Sequence, residues 1–211
     1  PNILKAFFLA GGPGSGKSYV VERGVGGLGM KIVNSDDIFE KYIDDAGMTW
    51  KMQSKLGKEQ EADRDKLRAR AKEVADKQKA NYVEGRLGLI IDGTGKDYDN
   101  ITGKAQKLRL LGYDIHMIFV NTSLDIALKR NAERKRTLRP DIATKSWKSV
   151  QSNMGKFSQF FRQGFILVDN NVAGEDIMAP VIKQIRNMAN AKVKNTIGKQ
   201  WIAHQLELKK R

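Results

Sequence analysis

The chain has 211 residues, a net charge of +14, 40% hydrophobic and 29% charged residues, which indicates a soluble globular domain with its own hydrophobic core. It contains no cysteine, which excludes disulfides and thiolate metal sites, and with only His116 and His204 a zinc site is not expected. No apolar stretch approaches the roughly 20 residues of a membrane-spanning helix, so a cytoplasmic location is expected.

Short apolar runs and helical patterns alternate along the chain. The apolar runs predict about five strands, over residues 3–10, 30–33, 87–91, 114–120 and 165–168. Helical spacing predicts helices between them, over residues 17–23, 37–46, 100–111 and 124–136. This alternation indicates an α/β fold with a doubly wound parallel sheet and helices on both faces.

Two segments stand outside this alternation. Residues 50–86 form a polar insertion, and a long amphipathic helix, with room for a shorter one before it, is predicted from Leu67, Ala71, Val74, Gln78 and Tyr82. From its position, the insertion could cover an acceptor site. The equally favoured alternative is a solvated helix that only packs on the sheet. Residues 196–211 predict a basic C-terminal helix that follows a domain of residues 1–195. Its partial apolar face is predicted to consist of Ile197, Trp201, Leu206 and Leu208.

The segment after the first predicted strand matches the phosphate-binding pattern GxxxxGK[ST] in full. It lies between a strand and a helix, the context that this pattern requires. Glycines let backbone N–H groups turn toward phosphate oxygens, and the following helix points its positive end at them. We expect Lys17 to reach the β- and γ-phosphates of ATP and the Ser18 hydroxyl to bind Mg²⁺. The predicted nucleotide-binding residues are Gly12, Pro13, Gly14, Ser15, Gly16, Lys17 and Ser18.

The second predicted strand ends in the sequence Asn34-Ser35-Asp36-Asp37. Ligands of open parallel sheets bind at the carboxyl ends of the strands. A carboxylate at that edge can accept the proton of a hydroxyl that attacks the γ-phosphate, and Asp36 is the predicted base. The alternative is that Ser35 or Asp36 only caps the following helix.

The third and fifth predicted strands also end in polar residues. Asp92 follows the apolar run 87–91, the position of an acid that orients Mg²⁺ directly or through water. An acid there can also position the acceptor, or only cap a turn. Asn170 follows the run 165–168, and its loop is predicted to lie near the phosphate-binding loop and to contact the adenine.

Positive charge is concentrated in two stretches. Residues 129–148 hold eight basic and two acidic residues, and residues 183–211 hold eight basic and one acidic, so together they carry +13 of the net +14. Arg130 and Arg134 lie four apart on one helix face and are predicted to close over the triphosphate as a lid. The alternative is a solvated basic helix. Clustered positive charge also indicates a polyanionic partner, of which nucleic acid is the commonest.

Together these motifs resemble the polynucleotide-kinase and zeta-toxin branch of P-loop kinases over residues 3–170. The Asn-x-Asp-Asp sequence of phage polynucleotide kinase matches residues 34–37 and places its catalytic aspartate at Asp36. The lid sequence Lys-Arg-Asn-x-x-Arg, followed by a proline step, matches residues 129–134 and 140–142. Asp92-Gly93-Thr94 resembles the Asp-Gly-Thr of zeta-toxin-like kinases. The resemblance implies four catalytic residues, Lys17, Asp36, Arg130 and Arg134.

The sequence departs from that family where the acceptor binds. Ile38-Phe39-Glu40 stands where the family polynucleotide kinase has an arginine, and the insertion 50–86 is outside the pattern. Related phage kinases are thought to phosphorylate a hydroxymethyl group on a DNA pyrimidine, such as 5-hydroxymethyluracil. The resemblance therefore implies an ATP- and Mg²⁺-dependent kinase that acts on such a group or on a 5′-hydroxyl end. The alternatives are a nucleotide-sugar kinase and an NTP-dependent binding protein without transfer activity.

Overall fold

A parallel β-sheet forms the centre of the computed structural model, which describes residues 2–48, 58–134, 137–172 and 175–210. In the described part of the chain the sheet has five strands: β1 (Lys5–Ala10), β2 (Lys31–Val33), β3 (Leu89–Ile91), β4 (Asp114–Asn121) and β5 (Phe165–Asp169). Their order is β2-β3-β1-β4-β5, and every pairing is parallel. The predicted doubly wound α/β fold is confirmed.

Helices connect the strands and cover both faces of the sheet. They are α1 (Lys17–Val25), α2 (Ser35–Asp45), α3 (Lys58–Glu84), α4 (Tyr98–Leu110), α5 (Leu124–Ala132), α6 (Pro140–Phe161), α7 (Glu175–Asn190) and α8 (Thr196–Leu208). A short 3₁₀ turn, Arg162–Gly164, joins α6 to β5. The sequence reading did not predict α6 and α7. Half of the buried positions of α6 are polar or alanine, and α7 contains Pro180, a residue that normally ends a helical pattern.

The central strand β1 divides the core because alternate side chains of a strand point to opposite faces. Phe8 belongs to a cluster that also holds Leu108 of α4 and Phe157 of α6. Phe7 belongs to a second cluster, with Val20 of α1 and Ile185 of α7. The carboxyl end of β1 is therefore held from both sides, which fixes the position of the loop that follows it.

The predicted long helix of the insertion is present as α3 and packs on α2. A third apolar cluster joins Phe39 and Ile43 of α2 to Ala71 of α3, and the guanidinium of Arg68 lies 4.6 Å from the centre of the Phe39 ring. Of the predicted apolar side, Gln78 is exposed, whereas Tyr82 one turn later packs against the core. Residues 50–57, where a shorter helix had room, lie outside the described residues.

The C-terminal helix α8 docks on the α4 side of the core through a face that shares only Trp201 with the predicted one. Trp201 packs against the core together with Ile202. By contrast Ile197, Leu206 and Leu208 are 46%, 55% and 49% exposed, so the predicted apolar face is wrong at these three positions. Among the described residues, no helix combines the length and apolar character needed to cross a bilayer.

Candidate active site

The phosphate-binding loop joins β1 to α1, and two of its glycines are required by the surrounding structure. Gly14 and Gly16 have φ angles of 79° and 88°, which strongly favour glycine. A Cβ atom on Gly14 would collide with the carbonyl oxygen of Ala127 in α5, and one on Gly16 with the side-chain amide of Asn170. The loop is therefore shaped by contacts with α5 and with the end of β5.

The start of α1 provides an anion-binding end. The N-cap of α1 is Gly16, which has no side chain to accept a hydrogen bond from the helix N–H groups. The first turn of α1 also carries no acidic residue. The first N–H groups of the helix consequently point out of its end without a partner inside the helix. Lys17 donates from Nζ to the carbonyl oxygen of Gly11 at 2.7 Å, and Ser18 lies exposed in the first turn. These donors fit the phosphates of ATP.

Asp36 lies in the first turn of α2 but is not its N-cap. The cap is Asn34, whose side-chain oxygen accepts from the backbone N–H of Asp36 at 2.9 Å. Asn34 also donates from Nδ2 to the Asp37 carboxylate at 2.8 Å. The alternative prediction, that Ser35 or Asp36 caps this helix, is wrong because Asn34 has the extended backbone that a cap needs. The N-cap of α2 is therefore Asn34, and capping is not the role of the Asp36 side chain.

Asp92 directly follows β3 and lies largely buried beside the phosphate-binding loop. Its Oδ1 accepts from the backbone N–H of Gly93 at 2.9 Å. Burial raises the pKa of the Asp92 carboxyl, and the nearby Lys17 ammonium opposes that rise. Burial also raises the pKa of Asp37, and the negative charge of Asp92 adds to the effect. The two acids at the ends of β2 and β3 are thus close enough to influence each other.

Lys17 lies within electrostatic range of three other predicted site residues. Burial lowers the pKa of the Lys17 ammonium; Asp92 and Asp36 oppose this shift, and Arg134 reinforces it. These residues come from α1, β3, α2 and the segment after α5, so the fold brings together groups that are far apart in sequence. A half-buried lysine within electrostatic range of two carboxylates and an arginine suits a site where phosphate charge is exchanged.

A magnesium ion would depend on few protein ligands here. No cluster of three or more histidine, cysteine, aspartate or glutamate side chains suitable for a metal occurs among the described residues. Magnesium in nucleotide sites usually keeps several waters and takes phosphate oxygens with one or two protein groups. Ser18 and Asp92, the predicted metal ligands, fit that pattern, and Mg²⁺ bound there would neutralise charge on the phosphates.

The two predicted lid arginines occupy different environments. Arg130 is half-buried, and its Nη1 donates to the backbone carbonyl of Asn170 at 2.9 Å. Arg134 is exposed and its charge reaches Lys17. It lies beyond α5, which ends at Ala132, so the prediction that both arginines share one face of a helix is wrong. Asn131 between them is buried and bonds through its side-chain amide to both backbone groups of Leu138. Residues 135 and 136 of the predicted lid lie outside the described residues.

We therefore expect Arg134→Ala and Arg130→Ala to differ. Arg134→Ala should lower kcat by roughly 10²-fold or more, with ATP affinity and thermal stability nearly unchanged, because an arginine acting on the transition state alters the rate alone. Arg130→Ala should also reduce stability, because it breaks the bond to Asn170. Steady-state kinetics and thermal unfolding of both variants measure this. Lys77→Ala, which removes an exposed charge paired with Glu73 on α3, is the control.

Asn170 supports the phosphate-binding loop. Only 6% of this residue is exposed, and its Nδ2 donates to the backbone carbonyl of Ser15 at 2.7 Å. Its own backbone N–H donates to the carbonyl of Asn121 at 2.9 Å. The structure thus places the Asn170 side chain against the loop, while an adenine contact stays a prediction.

Replacing Asn170 separates these two roles. Asn170→Ala removes a buried hydrogen bond and should cost roughly 1–3 kcal/mol of unfolding free energy. If the residue acts by holding the loop, the affinities for ATP and GTP should fall by the same factor. Calorimetric titration with each nucleotide measures this, and a loss confined to ATP would instead assign Asn170 to the adenine.

Two residues of α6 complete the site and were not predicted. Trp147 donates from Nε1 to the carbonyl of Thr122 at 2.8 Å and lies against Gly12. Asn153 donates from Nδ2 to the carbonyls of Gly95 and Lys96, at 3.0 and 2.8 Å, and so holds the loop after β3. A helical repeat of buried positions through Ser146, Val150, Asn153 and Phe157 is the sequence signal that could have found this face.

Comparison with known proteins bears on this arrangement. The family described as AAA domain matches residues 7–156, more than two thirds of the chain. The match spans the phosphate-binding loop, both acids and the predicted lid. No curated protein sequence matches the chain significantly.

Solved structures share the fold at low sequence identity. A candidate kinase from Chloroflexus aurantiacus is 16% identical, with 87% of this chain and 97% of that chain covered and a TM-score of 0.57. A complex of AvrRxo1-ORF1 and ORF2 with ATP is 12% identical, at 90% and 65% coverage and a TM-score of 0.59. A shikimate kinase from Bacteroides thetaiotaomicron is 15% identical, at 89% and 99% coverage and a TM-score of 0.51. The chain belongs to the AAA domain family, and its fold is the one shared by these P-loop kinase structures.

Proposed function

We propose that the protein is an ATP-dependent kinase that transfers the γ-phosphate to a hydroxyl group on nucleic acid. The acceptor would be the hydroxymethyl group of a modified DNA pyrimidine, such as 5-hydroxymethyluracil, or a 5′-hydroxyl end. The general class of activity, a P-loop phosphotransferase with an alcohol group as acceptor, is supported by the family match and by the residues of the site. The observation that carries it is the phosphate-binding loop between β1 and α1, with Asp36 and Asp92 placed just after β2 and β3 of the same parallel sheet.

The proposed chemistry uses each of these groups once. Lys17 and the N–H groups at the start of α1 hold the phosphates, and Asp36 accepts the proton of the acceptor hydroxyl. The hydroxyl oxygen forms a bond to the γ-phosphorus as the bond from that phosphorus to the β,γ-bridging oxygen breaks, and ADP leaves. Arg134 neutralises the negative charge that spreads over the transferred group. Mg²⁺, held through Ser18 and Asp92, would neutralise the remaining phosphate charge.

The choice of nucleic acid as acceptor rests on charge. The basic stretch 129–148 contains Arg134 and the exposed Lys145 and Lys148 at the start of α6. Trp147, between those two lysines, packs on Gly12, so this stretch directly adjoins the phosphate-binding loop. A polyanionic acceptor would be attracted to such a field, whereas a small neutral acceptor has no use for it.

The decisive experiment is an acceptor panel with radiolabelled ATP. The panel holds 5′-hydroxyl oligonucleotides, DNA with hydroxymethylated pyrimidines, uridine-diphosphate sugars and small alcohols such as shikimate, the substrate named for the shikimate kinase. Label in DNA supports the proposal. Label in the sugar nucleotide assigns a zeta-toxin-like activity, and label in the small alcohol a metabolite kinase. ATP binding without any labelled acceptor points to a binding protein.

Binding to duplex DNA should weaken steeply as salt rises. Each phosphate contact releases counterions and contributes about −0.9 to the slope of log K against log salt, so four to six contacts give roughly −4 to −5. A double variant, Lys145→Ala with Lys148→Ala, should flatten the slope by roughly 1.8 for two lost contacts. Lys66→Ala with Lys77→Ala removes two exposed charges on α3 and is the control. Fluorescence anisotropy measures both, and absence of DNA binding at low salt would contradict the proposal.

A further inference from the structure

A cleft of about 900 Å³ lies at the edge of the sheet opposite the phosphate-binding loop. Lys5 and Asp114, which line it, are the first residues of β1 and β4, and Gly164, also in its wall, immediately precedes β5. The phosphate-binding loop begins after Ala10, at the other end of β1. Six residues of strand span roughly 20 Å. A group bound in this cleft therefore cannot meet the transferred phosphate, and the cleft is a separate site.

The cleft is positively charged. Its only acid among the described lining residues is Asp114, whose Oδ2 accepts from Lys5 Nζ at 2.7 Å and whose carboxylate also accepts from two backbone N–H groups. Because Asp114 is already paired with Lys5, no other acid of the described lining balances the positive charges of Arg109, Arg162 and Lys194. Burial lowers the pKa of His116 to about 4, so this residue adds no charge at neutral pH.

One of these arginines has a backbone conformation that favours glycine. Arg162 has φ 49° and ψ −117° where α6 turns into β5. A side chain is uncommon in that region and strains the backbone. The presence of a long cation there, on the wall of a positively charged cleft, indicates that its side chain contributes something that glycine could not.

Planar groups form another wall of the cleft. The guanidinium carbon of Arg109 lies 5.3 Å from the centre of the Phe160 ring, and that ring meets Tyr98 edge-on at 6.5 Å. Aromatic rings and stacked arginines are the surfaces on which nucleobases bind without regard to sequence. Cations that have no acidic partner among the described residues of the lining, set beside such a wall, match the two halves of a nucleotide, its phosphate and its base.

We propose that this cleft binds a nucleotide unit, with its phosphate on Arg109, Arg162 and Lys194 and its base against the wall of Tyr98 and Phe160. A free nucleotide and one unit of a single strand share this chemistry. The second basic stretch, residues 183–211, includes Lys194 and continues into α8, which gives it a role apart from the transfer site. This assignment of the cleft rests on the proposed kinase function in one respect only, the choice of an oligonucleotide as one of the two ligands.

The test uses the full chain with its phosphate-binding loop saturated by a non-hydrolysable ATP analogue. One ligand is a short fluorescent oligothymidylate, followed by anisotropy, and the other is thymidine monophosphate, followed by calorimetry. The variant is Arg109→Ala with Arg162→Gly, and the control is the pair Lys66→Ala with Lys77→Ala, which removes the same charge from α3. Thermal unfolding of Arg162→Gly alone checks the fold.

The cleft variant should bind the oligonucleotide about tenfold or more weakly, since each lost contact is a charged hydrogen bond. Its salt slope should flatten by roughly 1.4, at about 0.7 per contact on a single strand. Arg162→Gly alone should not lower the unfolding temperature, because glycine accepts that conformation. Unchanged binding by the cleft variant, or an equal loss in the control, overturns the proposal.

The two ligands distinguish the source of the nucleotide. Monophosphate binding that the cleft variant loses assigns the cleft to free nucleotides, and binding of the oligonucleotide alone assigns it to a strand. Failure of both ligands to bind the wild type overturns the proposal. If the acceptor panel yields no labelled nucleic acid while the monophosphate binds here, the proposed function fails and the cleft stands.

Discussion

Lys17→Ala should abolish phosphate transfer and leave the protein folded. The side chain is held at the start of α1 by its bond to the Gly11 carbonyl, beside Asp36 and Asp92. The Lys17 charge stabilises the negative charge that develops on the phosphates in the transition state. Its loss should therefore lower kcat by about 10³-fold or more. Rate measurements at saturating ATP, with acceptor in excess, give the value.

The same variant should not lose stability. Burial lowers the pKa of the Lys17 ammonium, so the folded protein holds this charge at a cost in solvation. Removing it relieves that cost and offsets the lost hydrogen bond to Gly11. The unfolding temperature without nucleotide should therefore stay near that of the wild type, while the rise on adding ATP should shrink. Lys17→Arg keeps the charge with a different shape, and full activity in it or in Lys17→Ala would contradict the assignment.

Local signals in the sequence account for the parts of the fold that were predicted. Apolar runs of strand length and the complete GxxxxGK[ST] pattern need no distant partner to be recognised, so β1, the loop and α1 were expected where they occur. Asn34 illustrates the limit of such signals. It and Asp36 are both good capping residues, and the extended backbone at Asn34 decided which of them caps α2.

The remainder of the site depends on contacts between distant segments. Asn153 holds a loop 57 and 58 residues earlier in the chain, and Asn170 bonds to a carbonyl 155 residues earlier. No spacing rule indicates such pairs. The helix α6 was missed for a related reason: half of its buried positions are polar or alanine and find their partners only in the folded chain. The cleft at the amino-terminal ends of β1 and β4 is lined by residues from several segments, so it could not be predicted from sequence patterns either.

Asp36→Asn should lower kcat by roughly 10²-fold or more with little change in ATP affinity. The residue lies in the first turn of α2, at the carboxyl end of β2, and its charge reaches Lys17. An asparagine keeps the shape of the side chain but cannot take the proton of the acceptor hydroxyl. Since Asn34 is the helix cap, the substitution should leave the start of α2 and the unfolding temperature unchanged.

Asp37→Asn is the matched control, because it makes the same change one residue later. Asp37 accepts a hydrogen bond from Asn34, which an amide oxygen can also accept, so this variant should retain most of the wild-type rate. A large loss at Asp37 with Asp36→Asn unaffected would reverse the two roles and move the base one residue along α2.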